Sequence, residues 1–110
     1  MSDARIVLTT VGSEDAAALL AKSLVERKLA ACVNIVGPIR SIYRWKGKVH
    51  DEHELMLVVK TTGERAAELE AAFAELHPYE LPERVELSIE GGSADYLDWL
   101  DAQVPRESDQ

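Results

Sequence analysis

The sequence predicts an α+β domain with the element order β-α-β-β-α-β and a closing helix. Three observations carry this expectation. Apolar residues recur at helical spacing in two long segments, after Ser13 and after Gly63. Four other segments show either strict alternation or short apolar runs. Turn-forming residues, among them Lys46-Gly47-Lys48 and Gly91-Gly92, separate the segments. A chain of 110 residues fits one domain, expected over 1–110 with an ordered core at about 5–104.

Arg5 to Thr10 reads as a short strand around the apolar run Ile6-Val7-Leu8. Ser13 is placed to cap a helix, with Glu14 and Asp15 in the first turn, where the dipole favours negative charge. Ala17, Leu20, Ala21, Leu24 and Val25 form its apolar stripe, and Arg27 and Lys28 sit near its C-terminus. From Val33 to Trp45 the odd positions Val33, Ile35, Ile39, Tyr43 and Trp45 predict one drier strand face. Gly37-Pro38 interrupts this strand, and proline cannot donate to a central ladder, so the strand belongs at a sheet edge. After the turn at Lys46-Gly47-Lys48 comes polar His50-Asp51-Glu52-His53-Glu54, then five apolar residues from Leu55 to Val59. That run predicts a strand covered on both faces.

Gly63-Glu64-Arg65 opens a second helix with Ala66, Leu69, Ala72, Phe73 and Leu76 on its buried side. Pro78 ends it, because the residue before proline avoids helical backbone. Arg84 to Ile89 alternates as a last strand, and Ser93 caps a short helix bearing Tyr96, Leu97 and Leu100. This order is the ferredoxin-like split βαβ arrangement, an antiparallel sheet in the order 4-1-3-2 with a long hairpin between its second and third strands. The continuous apolar runs fall on the two central strands and the alternating patterns on the edges, so local pattern and topology agree.

The arrangement leaves a face to be covered. Two helices shield one side of the sheet, yet Ile6–Leu8 and Leu55–Val59 are apolar on both sides. The terminal helix and another subunit are the two candidates. A hairpin arm of about 13 residues would span ~40 Å, against about 34 Å for a compact domain of this length. It must bend at Gly37-Pro38 or project onto a neighbour, so oligomerisation is expected.

Composition narrows the function classes. Twenty acidic residues against 12 basic give a net charge of −8, and the pI is about 4.8. An acidic chain releases no counterions from nucleic acid, so no nucleic-acid partner is expected, whereas cations remain compatible. Folding should bury about two-thirds of roughly 17,700 Å² and leave roughly 6,100 Å² exposed, enough for a core without disulfides. Cys32 is the single cysteine, which rules out an internal disulfide and a cysteine-rich zinc motif. No apolar run reaches the ~20 residues of a membrane helix. The first residues carry no basic stretch before an apolar one, so no membrane partner and a cytoplasmic location are expected.

Several pieces taken in order resemble the CutA divalent-cation-tolerance family. They are Leu29-Ala30-Ala31-Cys32-Val33-Asn34-Ile35, Ser41-Ile42-Tyr43-Arg44-Trp45-Lys46-Gly47-Lys48, Lys60-Thr61-Thr62, His77-Pro78-Tyr79-Glu80-Leu81-Pro82 and Tyr96-Leu97-Asp98-Trp99-Leu100. Together they span roughly Arg5 to Val104. The resemblance implies a tight homotrimer similar in shape to the PII signalling proteins, and a link to copper and other divalent cations. It also implies that Cys32, Trp45, Lys60, His77, Tyr79 and Glu80 line a cleft between subunits. Cys32 and His77 are the ligands it suggests for Cu2+ or another divalent cation, with Glu80 beside them, while Trp45, Lys60 and Tyr79 are the residues for a bound ligand.

The residues themselves leave alternatives open. Cys32 suits a soft thiolate ligand, though a small buried hydrophobe at a strand start is the more usual behaviour of a free cysteine. His77 suits a metal, or a bond to the end of the second helix. The sheet topology puts Cys32 and His77 at opposite ends, so a shared site needs two chains. His50 and His53 would point to opposite faces of a strand, which favours a solvated turn over a metal cluster, although weak cation binding near His77 and Glu80 is compatible. Tyr43, Trp45 and Tyr79 suit an interface better than a flat ligand. No phosphate loop, catalytic triad or zinc-protease motif appears, so no enzymatic activity is expected. The rivals to cation binding are a PII-like sensor of a small anion, motivated by Lys60, and a stable trimeric scaffold for protein partners.

Overall fold

A computed structural model describes residues 3–105. The elements run β1 (Ala4–Val11), α1 (Glu14–Glu26), β2 (Cys32–Trp45), β3 (Lys48–Thr62), α2 (Gly63–Leu76), β4 (Val85–Ser88) and α3 (Ala94–Gln103). The strands form one antiparallel sheet in the order β2-β3-β1-β4, the expected order read from the other edge. Among the described residues, no helix is long and apolar enough to cross a membrane.

Helix α1 starts where Ser13 Oγ accepts the Ala16 N–H at 3.1 Å, and it buries Ala17, Leu20, Ala21 and Leu24. Val25, expected in that stripe, is instead 42% exposed. The chain reverses just beyond it: Lys28 takes φ 60, its N–H reaches Val25 O at 3.0 Å, and the Leu29 N–H reaches Leu24 O at 2.9 Å. This paired closure turns Leu29 back into the core in the place Val25 was expected to fill. It also leaves Arg27 and Lys28 beyond the last turn, which holds no basic residue. Helix α2 is capped by Thr62, whose side chain accepts the Arg65 N–H. Its Ala66, Leu69, Ala72 and Phe73 pack on the same face of the sheet as α1, over Val7, Val11, Leu57 and Val59.

The opposite face is covered only in part. Helix α3, capped by Ser93, lays Leu100 and Val104 against Ala4 and Ala31 at one end. Beyond it Val36, Val85 and Leu87 remain 47%, 47% and 46% exposed. Register places them on one surface with Ile6, Leu8, Met56 and Val58. The last strand is shorter than the expected Arg84–Ile89, and all four of its residues are exposed.

The hairpin turns on Lys46 (φ 50) and Gly47 (φ 80), the two-residue turn whose twist matches its flanking strands. Its arms project, giving extents of 44 × 27 × 23 Å and a radius of gyration of 14.6 Å, against about 13 Å for a compact chain of this length. Exposed area is 6948 Å², above the roughly 6,100 Å² expected.

One register shift decides what faces what. Val36 pairs with Met56 and Ile39 with Glu54, so β2 carries one extra residue between them. Val33 and Ile35 therefore lie on the helix side with Val59 and Leu57. Ile39, Tyr43 and Trp45 lie on the other side, opposite Glu54, His50 and Lys48. The single dry face expected along Val33–Trp45 is two half-faces. His50-Asp51-Glu52-His53, expected as a turn, is the outer arm of β3, and its two imidazoles diverge.

Candidate functional site

Strand β1 stops at Val11 opposite Leu55, while β2 and β3 continue outward for several residues. The loop between α2 and β4 closes on this overhang. It leaves an open cleft of about 690 Å³ walled by Tyr43, Trp45, Glu52, Glu54, Tyr79 and Glu83. The extra residue in β2 is what puts Tyr43 and Trp45 on the same side as Glu52 and Glu54.

His77 fastens the loop. Its backbone N–H caps α2 on Phe73 O at 2.8 Å, and its ring is buried under Tyr79 and beside Phe73. Nδ1 accepts the Tyr79 backbone N–H at 3.2 Å. The proton therefore sits on Nε2, which donates to Thr10 O at 3.0 Å and lies 3.0 Å from Thr9 Oγ1. Burial lowers the His77 pKa, while the Thr10 carbonyl and Glu54 oppose the shift. The ring is thus neutral at pH 7, with its one lone pair engaged. This geometry makes His77 a latch between α2 and the end of β1.

Tyr79 carries the network into the cleft. Its hydroxyl donates to Glu54 Oε2 at 2.6 Å. Burial, then the bond and charge of Glu54, hold the phenol well above the ordinary tyrosine range, so it stays protonated. Tyr43 donates to Glu52 at 3.0 Å and stacks on His50 at 5.2 Å. Glu83 is raised by burial first and by Glu54 second. At the mouth, Lys46 Nζ stands 5.4 Å above the Trp45 ring and 3.4 Å from Glu80 Oε2.

Four of the six expected residues, Trp45, His77, Tyr79 and Glu80, belong to this end of the molecule. Cys32 and Lys60 do not. They are opposite each other at the far end of the sheet, where Cys32 Sγ contacts Asn34 Oδ1 at 3.7 Å and Lys60 Nζ lies 5.7 Å from the Tyr96 ring. Among the described residues no three His, Cys, Asp or Glu side chains converge to hold a metal ion. Glu52, Glu54 and Glu83 were not among the residues expected at the site from the sequence. The signal available for them was Gly37-Pro38, a place where a strand gains a residue and changes faces.

The family model described as CutA1 divalent ion tolerance protein matches residues 5–103. This chain belongs to the CutA1 family. It is 53% identical over 95 residues to the divalent-cation tolerance protein CutA of Thermus thermophilus, covering 86% of this chain and 92% of that one. The solved structure of the Thermus thermophilus protein superposes with a TM-score of 0.89 at 49% identity, over 93% of this chain and 99% of that one. A chloroplastic CutA of Arabidopsis thaliana is 44% identical over 86% of this CutA1-family chain, which spans 52% of that relative's length.

Proposed function

We propose that this chain acts as a homotrimer in divalent-cation tolerance, taking up a divalent cation, copper foremost, where subunits meet. The observation that carries the assembly is the half-exposed apolar surface of Val36, Val85 and Leu87 beside Leu8, Met56 and Val58. A contiguous apolar patch of this kind, on a sheet face that α3 covers only at one end, calls for a partner surface. The family supports the link to divalent cations.

The position of the donors supports a site between chains. The Cys32 thiol offers a soft ligand and the Glu80 carboxylate a hard one, and they lie at opposite ends of one sheet. Only a neighbouring subunit brings such a pair together, with His77 positioning the loop that presents Glu80. Binding and assembly, not catalysis, are the proposed roles. Titration of the purified protein with Cu2+, followed through its ligand-field absorption, tests the site. Stoichiometric uptake is expected in the unaltered chain and loss of it in the Cys32→Ala, Glu80→Gln double variant. Undiminished uptake in the double variant refutes the assignment.

A further inference from the structure

The two sides of the sheet are packed to different degrees. Helices α1 and α2 share one apolar cluster with β1 and β3. Helix α3 belongs to a second, smaller cluster, in which Leu100 and Val104 meet Ala4 and Ala31. Leu100 is the one buried side chain within the ten residues of α3. Tyr96 and Trp99 lie against each other on its outer side and stay 42% and 45% exposed. The alanines beneath α3 are small, so the apolar area it buries is small too. A helix of this length does not persist alone in water, so its attachments decide whether it stays in place.

Arg65 of α2 clasps its end. Arg65 Nε donates to Pro105 O at 2.9 Å, just beyond α3, and Nη1 donates to both carboxylate oxygens of Glu68 at 2.9 Å. Nη2 is buried with no hydrogen-bond partner among the described residues. A buried donor without an acceptor disfavours the state that buries it. Once Pro105 lifts away water reaches the guanidinium, so the closed position carries a penalty that the open one lacks. We infer that α3 is a hinged cover on its end of the open sheet face, opening as a unit while α1, α2 and the sheet stay folded. The exposed Gly91-Gly92 pair between β4 and α3 supplies the hinge. Opening bares Ala4 and Ala31 and frees the Lys60 ammonium from the Tyr96 ring, 5.7 Å away when closed. The apolar face that a second copy would meet then extends to the end of the sheet.

Native-state hydrogen exchange of the full chain, resolved to single amides, tests the proposal. After correction for intrinsic rates, residues 98–103 of α3 should exchange at least about a hundredfold faster than residues 20–24 of α1. Leu100→Ala removes the anchor of α3 alone, and it should speed exchange in α3 by about thirtyfold or more while leaving α1 unchanged. Leu57→Ala, in the other cluster, should do the reverse. Exchange in α3 as slow as in α1 overturns the proposal. So does a Leu100→Ala variant in which α1 speeds up together with α3, because the helix is then part of one cooperative unit with the core. Equal acceleration of both helices in Leu57→Ala overturns it for the same reason.

Discussion

Replacing His77 by phenylalanine separates a latch from a metal ligand. The ring volume is roughly kept, but the Tyr79 N–H loses its acceptor and the Thr10 carbonyl loses its donor. Each orphaned buried polar group costs about 1–3 kcal/mol; the Tyr79 amide is only part-buried and regains some hydration, so the sum is about 2–4 kcal/mol. That is a large fraction of an ordinary folding free energy of about 5–15 kcal/mol. The second signature is pH. The folded-state pKa of His77 lies below its unfolded value of 6.5, so the unfolded chain takes up the proton first. Stability from the neutral ring is complete above pH 6.5 and is lost as pH falls through that value toward the depressed folded pKa. Urea unfolding at fixed protein concentration, at pH 7.5 and pH 5, measures both effects. The variant should be less stable at pH 7.5, and the gap to the natural chain should narrow at pH 5. Equal stabilities at pH 7.5, or a gap that does not narrow, refute the latch.

The other predictions address the core, the open sheet face and the irregularity in β2. Leu57→Ala removes a fully buried side chain from a central strand and should cost about 2–5 kcal/mol in chemical denaturation. Leu87→Glu changes a half-exposed position whose effect on the isolated fold is small; light scattering during size exclusion should find monomers for this variant and the proposed trimers for the natural chain. Gly37→Ala places a methyl group against Leu55, and it should destabilise the protein by about 1–3 kcal/mol, read from its urea midpoint.

Much of the fold was legible in the sequence because the signals are local and mutually consistent. Ser13 and Ser93 cap the helices expected of them, and Leu55–Val59 occupies an inner strand while Gly37-Pro38 sits on an edge strand. Faces were harder. One extra residue after Val36 reverses the alternation, and side-chain identities do not report such a backbone event. Val25 failed for a related reason: the helical stripe continues on paper, while the left-handed turn at Lys28 ends it in space. The sequence named Trp45, His77, Tyr79 and Glu80, which the structure brings to the hairpin end, but it did not show their contacts. The sequence does not show that the His77 ring bonds to Thr10 and Tyr79. Glu54 looks like one acid among 20 until burial distinguishes it.

Native mass spectrometry of the freshly purified protein bears most directly on the central claim, that the subunit is incomplete alone and gathers cations as an assembly. A trimer of 12.2 kDa chains is expected, carrying bound divalent metal that Cys32→Ala removes without dissociating the chains. A monomer at micromolar concentration, or a trimer whose metal content is the same with and without Cys32, contradicts it.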